Sequence, residues 1–149
     1  MVLKLGLEKV LKTINSNKGI YILELFAKEV FAISAKKFLD VTFPKGYYYY
    51  IGSAQKNLKS RIERHLRKDK VIHWHIDHLT THKLIEKIIP FIIPDGEKKL
   101  EAEIANSFIF YFDAQIIADG FGNSDTKETK THLFYKSEPI PFSKFDIYY

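Results

Sequence analysis

Tyr21 stands early in a run of apolar and β-branched residues, and Tyr50 closes an aromatic run with Ile51 and Gly52. Arg61 and His65 lie four apart where the apolar period is helical, so they share a face. Glu101 opens a later helical stretch. These types suit the hydrolysis of a phosphodiester. A guanidinium opposes the charge that builds on the phosphate oxygens, and a histidine or tyrosine can exchange the proton of water. A single carboxylate can hold magnesium when phosphate oxygens and waters fill the other positions. Taken one by one the residues have plainer readings: a strand tyrosine packs, and a helical glutamate faces water.

Lysine and arginine outnumber aspartate and glutamate by 23 to 18, a net charge of +5. The surplus alone decides little, because mild basicity also serves solubility. The arginines say more. Arg61, Arg64 and Arg67 are the only three in a chain that elsewhere uses lysine. A planar guanidinium grips phosphate oxygens in pairs, whereas an ammonium is a point charge. With Lys56, Lys59 and Lys68 they form a basic segment, read as a nucleic-acid contact against the alternative of a solvated helix face.

The elements that must position these groups follow from periodicity. Leu3, Leu7, Val10, Leu11 and Ile14 predict a helix over 2–15. Residues 19–26 read as a strand, 29–34 and 37–43 as two more, and 47–52 as a strongly aromatic one. Helices are expected from Asn57, where Leu58, Ile62 and Leu66 make the apolar stripe, and briefly over 73–81. A strand over 83–93 ends at Pro94-Asp95-Gly96, a long helix occupies 98–113, and a short strand lies near 133–135. The fold class is α+β, a small antiparallel or mixed sheet flanked by helices. One domain over 1–149 is expected, with a helix in 1–17, a core over 19–135 and an extension over 136–149.

The chain has no cysteine, which excludes a disulfide framework and a cysteine-based zinc site. Its longest apolar stretch, near 87–94, is too short and proline-interrupted to cross a bilayer, and no signal-like segment opens the chain. A cytoplasmic protein without a membrane partner is the expectation.

Gly19-Ile20-Tyr21, followed by Tyr50-Ile51-Gly52, resembles the two-part signature of the GIY-YIG nuclease superfamily. The continuation is similar too: Ser53 and Ala54, then Asn57-Leu58-Lys59-Ser60-Arg61, then His65. His73-Trp74-His75-Ile76-Asp77-His78-Leu79, Glu101-Ala102-Glu103 and the stretch from Gly120 to Phe134 resemble a subgroup of short stand-alone members. That subgroup commonly has cysteines where this chain has Ala102, Thr126 and Thr129. The resemblance implies a GIY-YIG-like fold and a magnesium- or manganese-dependent endonuclease acting on DNA more than RNA, directed by substrate structure. It implies that Tyr21 activates water, that Tyr50 orients phosphate and water, and that Arg61 is essential with His65 one turn beyond. The metal-binding glutamate is Glu101 or Glu103. Residues two positions apart on a helix cannot both face the site, and the resemblance, whose members place apolar residues three and four positions after this glutamate, matches Glu101 with Ile104 and Ala105. Glu101 is therefore preferred. Gly52, Ser53, His73 or His75, and Asn123 are expected to line the site.

Open questions remain in the residues themselves. An unperturbed phenol titrates near pH 10, so Tyr21 needs a lowered pKa or a mediating water, and His65 could pass the proton instead. His75, His78 and His82 are spaced for a conceivable zinc site. The rival readings are a non-catalytic nucleic-acid-binding module and a protein-interaction module. A homodimer or a protein partner is compatible with each.

Overall fold

A computed structural model describes residues 3–4 by their backbone, and residues 17–122 and 131–141. Strand β2 (Gly19–Ala27) runs through the middle of an antiparallel sheet, flanked by β3 (Gly46–Ala54) and β4 (Ile85–Pro94). The two-residue β1 (Leu3–Lys4) lies outside β4, and β5 (Leu133–Lys136) outside β3, giving the order β1-β4-β2-β3-β5. Helix α1 is Leu58–Leu66, α2 is Asp77–Thr80 and α3 is Lys98–Phe110. The expected α+β class, an antiparallel sheet flanked by helices, is what the chain forms.

Alternation along β2 sends Tyr21, Leu23, Leu25 and Ala27 to one face and Ile20 and Ile22 to the other, all buried. Each face therefore needs a cover. Leu58, Ile62, Ile76 and Leu79 of α1, α2 and their connection join the first, with Phe31, Phe38 and Phe43. Ile104, Ala105 and Phe108 of α3 cover the second, with Phe108 stacked on Phe134. Glu24 is buried among the apolar residues of β2, and its cross-strand neighbour Tyr49 donates to its Oε2 at 2.6 Å.

Two expectations change. Residues 3 and 4 are not helical: they pair as an edge strand with Ile92 and Phe91, whose outward backbone groups would otherwise lack strand partners. Residues 5–16, where the rest of that expected helix falls, lie outside the described residues. The expected strands over 29–34 and 37–43 reduce to one bridge, Phe31 with Phe43, and a 3-10 turn at Lys36–Phe38. Their alternation is real, with Phe31, Ile33 and Ala35 buried. It serves an extended segment packed across the first face, where no neighbouring strand offers a ladder. Among the described residues no helix is long and apolar enough to cross a membrane.

The pairing of β5 covers β3 only from Tyr47 to Tyr50, and the bond from Ile51 N–H to the His132 carbonyl ends that side. Beyond it the outer edge of β3 at Gly52–Ala54 stands clear of β5. Gly52 lies opposite Tyr21, and a Cβ there would come within 2.6 Å of Tyr21 Cε2. The glycine lets the tyrosine ring lie across β3. Gly52→Ala should therefore destabilise the fold by about 1–3 kcal/mol through overpacking, read from urea denaturation. An unchanged midpoint would mean that the ring has room elsewhere.

Candidate functional site

The end of β3 at Gly52 and Ser53 lines a cleft of about 630 Å³. Tyr21 and Tyr50 reach it from the first sheet face, Ser53 from the edge, and Arg61 and His65 from α1. Glu101 reaches it from the first turn of α3, on the opposite face. Gly52, His73 and His75 line it as well, while Asn123 lies outside the described residues. Glu103 is exposed. The period that separated the two glutamates holds in the helix.

Arg61 is aimed by its surroundings. Its Nη1 donates to the Ser53 carbonyl at 3.3 Å, and its guanidinium sits 5.2 Å from the centre of the Trp74 ring. Glu101 is held on both oxygens: Ser53 Oγ donates to Oε2 at 2.8 Å, and His132 Nδ1 lies 3.0 Å from Oε1. Burial alone would raise the Glu101 pKa, but the bonds from His132 and Ser53 outweigh it and hold the carboxyl below its usual range. The Tyr21 hydroxyl is 2.9 Å from His65 Nε2. Burial pushes Tyr21 and Tyr50 well above the ordinary phenol range, with Arg61 pulling Tyr21 part of the way back. Burial, with Lys70 next in weight, pushes His65 down to about 3. At neutral pH both tyrosines and His65 are uncharged.

The basic segment divides. Arg64 is spent inside the molecule, donating to both oxygens of the fully buried Asp77 at 2.9 and 2.8 Å and to the Val71 carbonyl. Lys68 caps the carbonyls of His82 and Ile85 at 3.1 and 2.8 Å. Their expected role as phosphate grips gives way to a structural one, since a buried carboxylate and the carbonyls of a chain turn need donors. Arg67, Lys56 and Lys59 are exposed.

Several cleft residues were not foreseen as such. His132 sits next to Glu101 through the pairing of β5 with β3, a long-range contact that residue spacing does not signal. Trp74 carries two guanidinium groups against its ring, that of Arg61 and, at 4.5 Å, that of Arg64. Lys98 and Lys99 line the cleft beside Glu101. Three residues before that glutamate on one helix, Lys98 could have been found from the same period that selected it.

Residues 20–145 match the family described as Domain of unknown function DUF123. The chain belongs to that family. No curated protein and no solved structure matches it. The DUF123 match overturns the resemblance to the GIY-YIG nucleases, which rested on short sequence words, and the GIY-YIG-like attribution of the fold goes with it. The assignment as a GIY-YIG-type endonuclease falls too. Among the described residues no three His, Cys, Asp or Glu side chains are grouped to hold a metal. The zinc reading of the histidines fails for the same reason: His75 Nδ1 accepts from Gly122 N–H, and His82 engages Leu84 N–H and the Ala32 carbonyl.

The buried neutral His65 gives this DUF123 chain an acid sensitivity. Unfolded, the imidazole takes up a proton near pH 6.5; folded, it refuses one until about pH 3. The unfolded state binds more protons between these values, so stability is full above pH 6.5 and falls toward pH 3, by about 1.4 kcal/mol per pH unit for this one group. His75 and His82, also lowered by burial, act with the same sign. Urea unfolding of wild type and His65→Gln from pH 4 to 6 should give slopes differing by one proton. Equal slopes would show that His65 does not stay neutral in the fold.

Proposed function

We propose that the cleft holds a phosphodiester of a nucleic acid, DNA in the first instance, and hydrolyses it with magnesium or manganese. One observation carries the reading: a guanidinium, a tyrosine–histidine pair and an ionised carboxylate, spread over residues 21–101, meet at one open cleft. The reading rests on this cleft and not on the family.

The Glu101 carboxylate fits a divalent ion that shares its ligands with the substrate. It lines the cleft, is held in place by Ser53 and His132, and stays ionised. A lone carboxylate suits an ion whose remaining positions go to phosphate oxygens and water. Such an ion would neutralise phosphate charge and make water a better nucleophile. Arg61 supplies the fixed cation, its planar fork matched to two phosphate oxygens and its aim set by the Ser53 carbonyl and Trp74. Tyr50, neutral and half-buried, presents a hydroxyl to orient the phosphate. Lys98 and Lys99 steer the polyanion toward the same mouth. Against a purely binding role stands Glu101: without an ion, an aimed carboxylate repels phosphate.

The test is a panel of labelled DNA and RNA structures incubated with the pure protein, with and without magnesium or manganese. Cleavage should require the ion. Arg61→Ala should lose about two orders of magnitude in rate with binding weakened much less. Glu101→Ala should abolish cleavage, while Glu103→Ala keeps at least about a tenth. Substituting Arg67, Lys56 and Lys59 together should flatten the salt dependence of binding, because fewer counterions are released. Ion-independent binding without cleavage, insensitive to Glu101→Ala, would leave the binding module as the better reading.

A further inference from the structure

We infer that Tyr21 meets its ligand as a neutral hydrogen-bond donor, its oxygen accepting from His65 and its own proton turned into the cleft toward an anionic phosphoryl oxygen. The starting point is the other end of the His65 ring. That ring is 1% exposed; its Nε2 lies 2.9 Å from the Tyr21 oxygen, and its Nδ1 has no hydrogen-bond partner among the described residues.

A neutral imidazole carries one N–H, and the two tautomers leave different orphans. With the proton on Nδ1, a buried donor has no acceptor, while Tyr21 donates to Nε2. With the proton on Nε2, that donor is satisfied by the Tyr21 oxygen and only a bare ring nitrogen is left over. Orphaned buried donors are the rarer of the two in folded proteins, so the second arrangement is favoured. The doubly protonated ring is excluded by its burial and by Lys70, Arg64 and Arg61 around it.

Arg61, the cation beside Tyr21, carries donors and no acceptor. A phenol oxygen can accept twice and donate once. With His65 donating to the oxygen, the hydroxyl proton has no acceptor in either neighbour and points at whatever occupies the cleft that Tyr21 lines. An anion with exposed oxygens is the complement, and a phosphoryl oxygen within reach of Arg61 is the one the site is charged for. Burial also disfavours the phenolate. In this arrangement Tyr21 does not activate water. The tautomer stands on geometry alone; the phosphoryl ligand rests on the function proposed above.

Two measurements test this in the intact chain. Nitrogen-15 correlation spectra of the histidine rings, with His65 assigned through its backbone, should find the proton on Nε2 at pH 7 and still there at pH 5. A proton on Nδ1, or an imidazolium, would overturn the inference. Titration with inorganic phosphate in the presence of magnesium should then bind the wild type about five- to tenfold more tightly than Tyr21→Phe, the loss of one hydrogen bond to an anion. Equal affinities, or no binding by the wild type, would remove the donor role. If both results come out as expected while no nucleic acid is cleaved, the hydrolytic reading fails and the donor assignment stands.

Discussion

Asp77 has no exposed surface, and its ionised carboxylate accepts two bonds from Arg64 and one each from the N–H groups of His73 and Trp74. A buried carboxylate without such partners would cost several kcal/mol or give up its charge. Burial alone raises its pKa; these donors reverse the effect and hold it at about 2. The requirement reaches outward. Satisfying Asp77 fixes Arg64 on α1 and ties the start of the 73–76 segment to α2. It thereby sets the Trp74 ring where Arg61 and Arg64 both lie against it. Lys70, 3.9 Å from the same carboxylate, closes the group by donating to the Arg64 and His65 carbonyls at the end of α1. The direction of Arg61 is thus a consequence of a buried charge on another element.

The second constraint is the length of β5. A longer β5 would continue the ladder past Ile51 and close the edge of β3. As it is, β5 begins at Leu133, and beyond Ile51 the strand β3 meets α1 from one face and the first turn of α3 from the other. Ser53 sits at that meeting point, its carbonyl taking Arg61 and its hydroxyl holding Glu101. A cation and an anion are kept close to one strand residue without pairing to each other. That separation leaves room for a ligand that needs both.

What the sequence disclosed follows from which interactions are local. Alternation located β2 and β3, and with them Tyr21 and Tyr50. The helical period put Arg61 and His65 on one face and separated Glu101 from Glu103. Features fixed by long-range pairing were hidden. Leu3 keeps helical spacing with its followers, yet an open strand edge at Ile92 decides its state. Arg64 looks like Arg67 in the sequence, and only the position of Asp77 makes one internal while the other stays exposed. His132 enters through a strand pairing. Short sequence words pointed to one family, while the match over 20–145 is to DUF123; a tripeptide reports a strand and a turn, whereas a family match reports the whole chain.

The charge state of the cleft is where these constraints combine. Two tyrosines and a histidine are held neutral by the same burial that packs them against the sheet. Charge at the centre is therefore concentrated on Arg61 and Glu101, with Lys98 and Lys99 at the side. Neutral aromatic walls lower the local dielectric, and each fixed charge acts more strongly on a ligand than it would in water. A ligand carrying negative oxygens gains from Arg61 directly and meets Glu101 as a barrier that a divalent cation converts into an attraction. Burial that keeps Tyr21 uncharged thus also sharpens the contrast between the two ionised groups at the sheet's end.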